Sequence, residues 1–265
     1  MLYFVSTPIG NLNDMTYRAV EVLKSVDVIA CEDIRHSIPL LDRYDIKKKL
    51  ISYQKFNEAE SGEKIIELLK EGKNVAVISD AGTPLLSDPG AVLTKKLIEE
   101  GLEFTAIPGA NAVLPALILS GLDSSRFTFI GFLPEKNNDR QKLLEGYSAV
   151  DSTLIFYSAP HDLDKVVKYL YEGLGDRKAV AGKEITKMHE SRIEFNLKYG
   201  LTCDTRGEFV ILVEGAKSQD FSNMPIKEHI ALYLGEGLTK MEAIKKVAKE
   251  RGVPKSSLYK YTIED

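Results

Sequence analysis

The sequence predicts an α/β protein made of two successive α/β domains and a short helical extension. Short apolar runs alternate with amphipathic stretches through the first part of the chain. The spacing of strand-like runs changes after residue 120, and the last segment turns basic and helical. With 265 residues, 28% charged and 44% hydrophobic, the chain has the composition of a globular protein with material for a sizeable core.

Residues 1–119 carry strand-like runs at Leu2–Val5, Asp27–Cys31, Leu50–Tyr53, Asn74–Ser79 and Phe104–Ile107. Between them, Val20, Leu23 and Val26, and again Ile65, Leu68 and Leu69, fall at helical spacing. Asn57 with Glu60 forms a candidate capping box, and Gly72 suits the left-handed residue that closes that helix. Asp88 and Pro89 read as N-cap and first residue of the next helix, which Gly101 ends. Alternation of this kind predicts an open sheet whose ligand loops leave the carboxyl ends of the strands.

The polar stretch Ser120 to Ser125 reads as a linker into a second domain, residues 120–222. There Phe127–Phe132, Thr153–Ser158, Lys178–Lys183, Ser191–Leu197 and Glu208–Val213 read as strands of a mixed sheet, the last two close enough to pair antiparallel. Residues 223–265 form the extension. A stripe of Ala243, Ile244, Val247 and Ala248 marks a helix that Gly252 breaks, and a second short helix is expected from about Ser256. This is the form of a helix-turn-helix, with Lys245, Lys246, Lys249, Arg251 and Lys255 as candidate nucleic-acid contacts. A helical hairpin with a solvated basic face fits the same residues.

The net charge of −4 argues against a protein coated in basic surface, while leaving room for a local patch. Two cysteines, Cys31 and Cys203, make neither a disulfide framework nor a metal motif, and no metal ligand set has the required spacing. The opening MLYFVSTPIGN lacks the basic flank and apolar length of a signal peptide, and no run is long enough to span a bilayer. A cytoplasmic protein without a membrane partner is expected.

Three loops at strand ends can converge on one crevice: Thr7 to Asn11, Ser79 to Gly90 and Ile107 to Ala112. The second, SDAGTPLLSDPG, lacks the Gly-Lys-Ser/Thr of a P-loop and the glycine spacing of a dinucleotide site. Its carboxylates Asp80 and Asp88 would repel phosphate, so a nucleoside or a cation suits it better. A purely structural turn has the same composition. The segment Cys31 to Ser37 is the densest ionisable cluster, where Glu32 or Asp33 can take a proton and Arg35 can grip an anion. A charged helix start would look alike. His161 and His189 stand alone and read as structural.

Taken in order, LYFVSTPIGNLNDMTYRAVEVLKSVDVIACEDIRH, VAVISDAGTPLLSDPG, IPGANAV, RFTFIGFLPEK, TLIFYSAPHDL, KEITKMHE and RGEFVILVEG resemble the tetrapyrrole methylase superfamily. Within it they are similar to the bacterial branch that methylates a cytidine 2'-hydroxyl in small-subunit 16S rRNA. Departures are few. Ile34 stands where that branch has Thr, and Ala110 and Asn111 replace Pro and Ser. Ser158 and Asp162 replace the Glu and Arg that flank its Ser-Pro-His.

The resemblance implies two domains of the tetrapyrrole methylase type with S-adenosyl-L-methionine in the cleft between them, and a homodimer. That cofactor carries no phosphate and has a cationic sulfur, which suits the lysine-free loop. By similarity, Asp80, Gly82, Thr83, Pro84, Leu86, Ala110 and Asn111 would line the cofactor, Pro8 and Gly10 the cleft floor, and Tyr157 and Ala181 the far wall. Glu32, Asp33 and Arg35 would serve catalysis, and 16S rRNA within the 30S subunit would be the partner. C-methylation of a tetrapyrrole is the nearest rival, and a non-catalytic nucleic-acid regulator the next.

Overall fold

Five four-residue strands pair in parallel in the order β3-β2-β4-β1-β5: β1 (Leu2–Val5), β2 (Val28–Cys31), β3 (Lys49–Ser52), β4 (Val75–Ile78) and β5 (Phe104–Ile107). In β2 and β4, reading VIAC and VAVI, every residue is buried, as strands covered on both faces must be. The computed structural model describes residues 1–54, 58–87, 90–217, 224–235 and 237–261. These divide into two compact units, Met1–Gly215 and Ala216–Asp265.

One face of this first sheet is covered by α1 (Tyr17–Ser25) and α2 (Ile34–Arg43), where Ala19, Leu23 and Leu41 pack on Val5, Ile29 and Ile78. α1 starts where Thr16 accepts a hydrogen bond from the Ala19 amide. The other face takes α3 (Glu58–Lys70) and α4 (Ala91–Glu99), through Ile65, Leu69, Leu93 and Leu97. Gly72 and Gly101 sit at φ +80° and +64° and end these helices as the sequence predicts. Asn57, Asp88 and Pro89, assigned capping roles above, lie outside the described residues. The connections from β1 and from β4 run in opposite directions over neighbouring strands. Their carboxyl ends therefore mark the switch point at which open sheets hold ligands.

The second sheet runs β6-β7-β10-β8-β9, from β6 (Phe127–Phe132), β7 (Thr153–Ser158), β8 (Lys178–Lys183), β9 (Ser191–Asn196) and β10 (Phe209–Val213). Only β6 and β7 are parallel. The expected pairing of the last two strands does not occur: β10 lies between β7 and β8, and β9 is an edge. Burial explains the swap. β10 reads FVILV with every residue buried, whereas β9 reads SRIEFN and alternates, a pattern suited to one wet face.

α6 (Asn137–Tyr147) and α7 (Leu163–Leu174) join one face of this sheet, where Leu144, Leu163 and Leu170 pack on Phe156, Ala181 and Ile211. The opposite face receives α5 (Val113–Ser120), whose Val113, Ala116 and Leu117 pack on Ile155, Val210 and Leu212. Although all of α5 but Ser120 falls in the first of the two segments read from sequence, its packing partners belong to the second sheet.

The unit Ala216–Asp265 has its own core. α8 (Ile226–Gly235) packs Ile230 and Tyr233 on Ala243, Ile244, Val247 and Ala248 of α9 (Lys240–Arg251). Thr239 and Glu242 close a reciprocal capping box at the start of α9, and Gly252 ends it at φ +61°. The stripe and the break were legible in sequence; α8 was not. In place of the second helix expected near Ser256 there are two 3-10 turns, Lys255–Ser257 and Tyr259–Tyr261.

Candidate functional site

Backbone and hydroxyl bonds lace the three strand-end loops together. Thr7 and Gly82 exchange backbone hydrogen bonds of 2.8 and 3.1 Å, and the Thr7 hydroxyl donates to the Ser79 carbonyl at 3.1 Å. The Ser6 and Thr83 hydroxyls meet at 3.0 Å, and Thr83 Oγ1 donates to the Ala110 carbonyl at 3.3 Å. Gly82 holds φ +83° at the bridge, and the non-glycine residues Leu85 and Ser87 hold +73° and +72°. Left-handed residues cost on the order of 1 kcal/mol or more each and concentrate where a loop is shaped for a ligand.

These loops face the second sheet across a cavity of about 380 Å³, within the usual range for small-molecule sites. Ile9, Glu32, Asp80, Gly82, Thr83, Leu86 and Asn111 form one wall, and Phe132, Tyr157, Ser158, Pro160 and Val210 the other. A bulge at Ile130 shifts the register of β6, so that Phe132 pairs with Tyr157 on the same face. Their ring centroids lie 5.4 Å apart. The charged residues on the described lining are three carboxylates, Glu32, Asp80 and Glu208, without a lysine or arginine.

A second cavity of about 870 Å³ adjoins the first. It is lined by Pro8, Gly10, Asp33, Arg35, His36 and Lys187, and shares Ile9, Asp80, Ala81 and Glu208 with its neighbour. Here cations and carboxylates mix.

Several expected site residues lie elsewhere than on the first cavity. Pro8 and Gly10 line the second. Pro84 and Ala110 line neither; Ala110 contributes its carbonyl to Thr83. Ala181 is fully buried with Phe156 and Ile211 on the face away from the cavity. In register it stands beside Ile211, whereas Val210 and Tyr157 pair along the row of Gly182. Strand side chains alternate, so a one-residue offset inverts the face. Phe132, Ile185, Glu208 and Val210 were not chosen from sequence, although each lies in a run quoted above.

The three residues assigned to catalysis separate. Glu32 lines the first cavity, and its carboxyl is pushed above the usual range by burial and then by the nearby Asp80. Asp33 caps α2, accepting from the Arg35 amide at 2.8 Å, and pairs with the Arg35 guanidinium at 3.0 Å. Those bonds hold Asp33 below its usual range, which makes it a weak proton acceptor. Arg35 is 90% exposed in the second cavity. Asp80 accepts the Asp33 amide at 3.0 Å and so ties the loop after β4 to the loop after β2.

The raised Glu32 carboxyl yields a test. A carboxylate with a raised folded pKa destabilises the fold once pH exceeds that pKa, because ionisation is then harder than in the unfolded chain. A cation in the cavity relieves that cost. Glu32→Gln is therefore expected to raise the melting temperature of the ligand-free protein at neutral pH, while weakening binding of a cationic ligand several-fold by calorimetry. A lower melting temperature with unchanged affinity would sink this assignment.

The family model for Tetrapyrrole (Corrin/Porphyrin) Methylases matches residues 1–199. The "Ribosomal RNA small subunit methyltransferase I" of Bacillus subtilis (strain 168) is 43% identical, over 98% of this chain and 92% of that protein. The protein of the same name from Escherichia coli O157:H7 is 39% identical, over 99% of this chain and 94% of its own length. Among solved structures, the methyltransferase CobJ has a TM-score of 0.62 at 20% identity, covering 81% of this chain and 94% of its own. Diphthine synthase has 0.60 at 14% identity, covering 81% and 89%. At those identities the two structures bear on the fold alone.

Proposed function

This chain belongs to the tetrapyrrole (corrin/porphyrin) methylase family, and from that premise we propose that it methylates a cytidine 2'-hydroxyl in 16S rRNA of the small ribosomal subunit, with S-adenosyl-L-methionine as donor. The observation that carries the cofactor is the charge of the first cavity, whose described charged lining residues are carboxylates alone. A polyphosphate would be repelled there, whereas a sulfonium and an ammonium are attracted. The Phe132 and Tyr157 rings, packed edge to face, offer an aromatic wall for a nucleobase. The chain's residues thus fit the group. Glu32 and Asp80 face its cationic part, and the loop from Gly82 to Leu86, with Asn111, encloses it.

When bound, S-adenosyl-L-methionine supplies a methyl group whose bond to sulfur leaves its electron pair on sulfur as the acceptor oxygen forms the new bond to carbon. The chain must align that oxygen and accept its proton. The second cavity, with Arg35 and His36 beside carboxylates, suits an acceptor that carries phosphodiesters. Further phosphate contacts are assigned to the extension, where Lys245, Lys249 and Lys255 are exposed. Lys246 lies over the Tyr233 ring at 3.9 Å, and Arg251 Nε donates to His229 Nδ1 at 3.1 Å. Those two have structural work within the unit.

A macrocycle with many carboxylates, the rival substrate, gives such a basic unit no role. Exposed Leu114, Ile118 and Leu119 make α5 apolar on its outer side too, which suits a second copy of the chain and supports the homodimer. Localisation in the cytoplasm is part of this proposal and follows from the proposed ribosomal substrate. Among the described residues no helix is long and apolar enough to cross a membrane.

The deciding experiment is mass spectrometry of nucleosides after incubation with the donor and unmodified 30S subunits, with protein-free 16S rRNA in parallel. A 2'-O-methylcytidine in the 30S sample is expected. Its absence from both samples would refute the reading, and its appearance in naked rRNA alone would remove the assembled particle as substrate.

A further inference from the structure

The two cavities meet along Ile9, Asp80, Ala81 and Glu208. On the function proposed above, a methyl group held in the first and accepted in the second crosses that line. The group that handles the acceptor hydroxyl belongs on it. Of the two carboxylates there, Asp80 has one oxygen committed to the Asp33 amide. Glu208 is 75% exposed, and only its Oε2 is engaged, by Lys187 Nζ at 2.8 Å. Its Oε1 has no protein partner among the described residues.

The surroundings hold Lys187 in place. Its ammonium also donates to Glu184 Oε1 at 2.9 Å, and the Glu208 amide donates to that same oxygen at 2.8 Å. Its stem fills the space left by a missing Cβ at Gly10; a Cβ there would fall 2.5 Å from Lys187 Cε. Gly207 likewise leaves room for Glu184, whose Cγ would lie 2.6 Å from a Cβ. Two residues of the turn that presents Lys187, Glu184 and Thr186, hold φ of +50° and +68°, a backbone that L-residues adopt at a cost. The Thr186 hydroxyl is bonded to Asp14. Burial draws the Lys187 ammonium down, but the bonds from Glu208 and Glu184 outweigh it and hold it above its usual range. Lys187 therefore remains a cation and is not the proton acceptor.

We propose that Glu208 is the carboxylate that binds the acceptor hydroxyl and takes its proton, and that Lys187 is the positioning residue that fixes Glu208 for this task. As the hydroxyl oxygen is methylated, its proton passes to Glu208 Oε1 and then to water, which restores the carboxylate. Gly10 acquires a reason as well: it makes room for the Lys187 stem.

Three variants in the full-length protein test this: Glu208→Gln, Lys187→Met and Lys187→Arg. Donor affinity is read by calorimetry, and single-turnover transfer and KM are read with unmodified 30S subunits. Glu208→Gln keeps the shape and an oxygen for Lys187, and is expected to slow transfer by about 100-fold or more, the usual scale of a lost proton acceptor. Donor affinity and KM for 30S should stay within about twofold. Lys187→Met is expected to slow transfer about 10-fold with the same affinities, and Lys187→Arg to restore most of the rate.

A wild-type rate for Glu208→Gln overturns the proposal. So does a loss of donor affinity in that variant, because Glu208 would then hold the cofactor. A full rate for Lys187→Met removes the positioning role. If the unaltered protein transfers nothing to 30S, the functional reading fails and takes this inference with it. If it transfers normally and Glu208→Gln matches it, only the inference fails.

Discussion

Asp80→Ala is expected to weaken S-adenosyl-L-methionine binding about 100-fold in calorimetry, or roughly 2.7 kcal/mol. Two losses add. The carboxylate leaves a cavity in which Glu32 and Asp80 are the carboxylates assigned to the cation, and a hydrogen bond to a charged group is worth about 1.5–3 kcal/mol. The Asp33 amide also loses its acceptor, which frees the loop after β2 from the loop after β4. Asp80→Asn separates the two, since the amide oxygen can still accept from Asp33. It should recover the melting temperature but only part of the affinity. Unchanged affinity in Asp80→Ala would mean that the loop from Ser79 to Ser87 does not hold the donor.

A chain ending at Gly215 is expected to bind the donor as tightly as the full protein, yet to transfer methyl groups to 30S subunits about 100-fold more slowly at near-physiological salt. The four core clusters on the two sheets draw their buried residues from positions up to Val213, so the first unit closes its cores from its own residues. The second unit carries the exposed Lys245, Lys249 and Lys255. Each phosphate contact to single-stranded RNA contributes about 0.7 to the slope of log affinity against log salt. Changing those three lysines to glutamine in the full chain should therefore flatten the slope by about 2. Full activity in the shortened chain would assign RNA binding to the first unit alone.

The strands of both sheets were legible to within a residue or two, because buried strands are continuous apolar runs bounded by Gly, Pro and charge. Pairing was not legible. Nothing local tells β10 to leave its neighbour β9 and insert between β7 and β8; that follows from the total burial of FVILV, which only a central strand can satisfy. The same limit governs the site. Asp80, Gly82, Thr83 and Leu86, assigned by the resemblance, line the first cavity because they sit on one short loop. Ala181 could not be told from Gly182 beside it, because which residue faces the cavity depends on register. α5 concealed its partner for a different reason. Leu114 and Ile118 are as apolar outward as Val113 and Leu117 are inward, so periodicity names no buried face. Lys187 and Glu208 lie 21 residues apart, and the contact that joins them is a product of the fold.

The insertion of β10 also sets the order in which the molecule can be built. The parallel sheet is complete once Ile107 has been made, so it can form early as the chain leaves the ribosome. The second sheet cannot. Until Phe209–Val213 arrives, β7 and β8 have no strand between them, and the pairs they await span up to roughly sixty positions of sequence, a separation that slows closure. Val210 and Phe209 reach the cavity wall with that last strand, as does Glu208 just before it. The nascent enzyme therefore holds half a binding site from the completion of the loop at Asn111 until Val213 has been made, and acquires the remainder in a single late folding event.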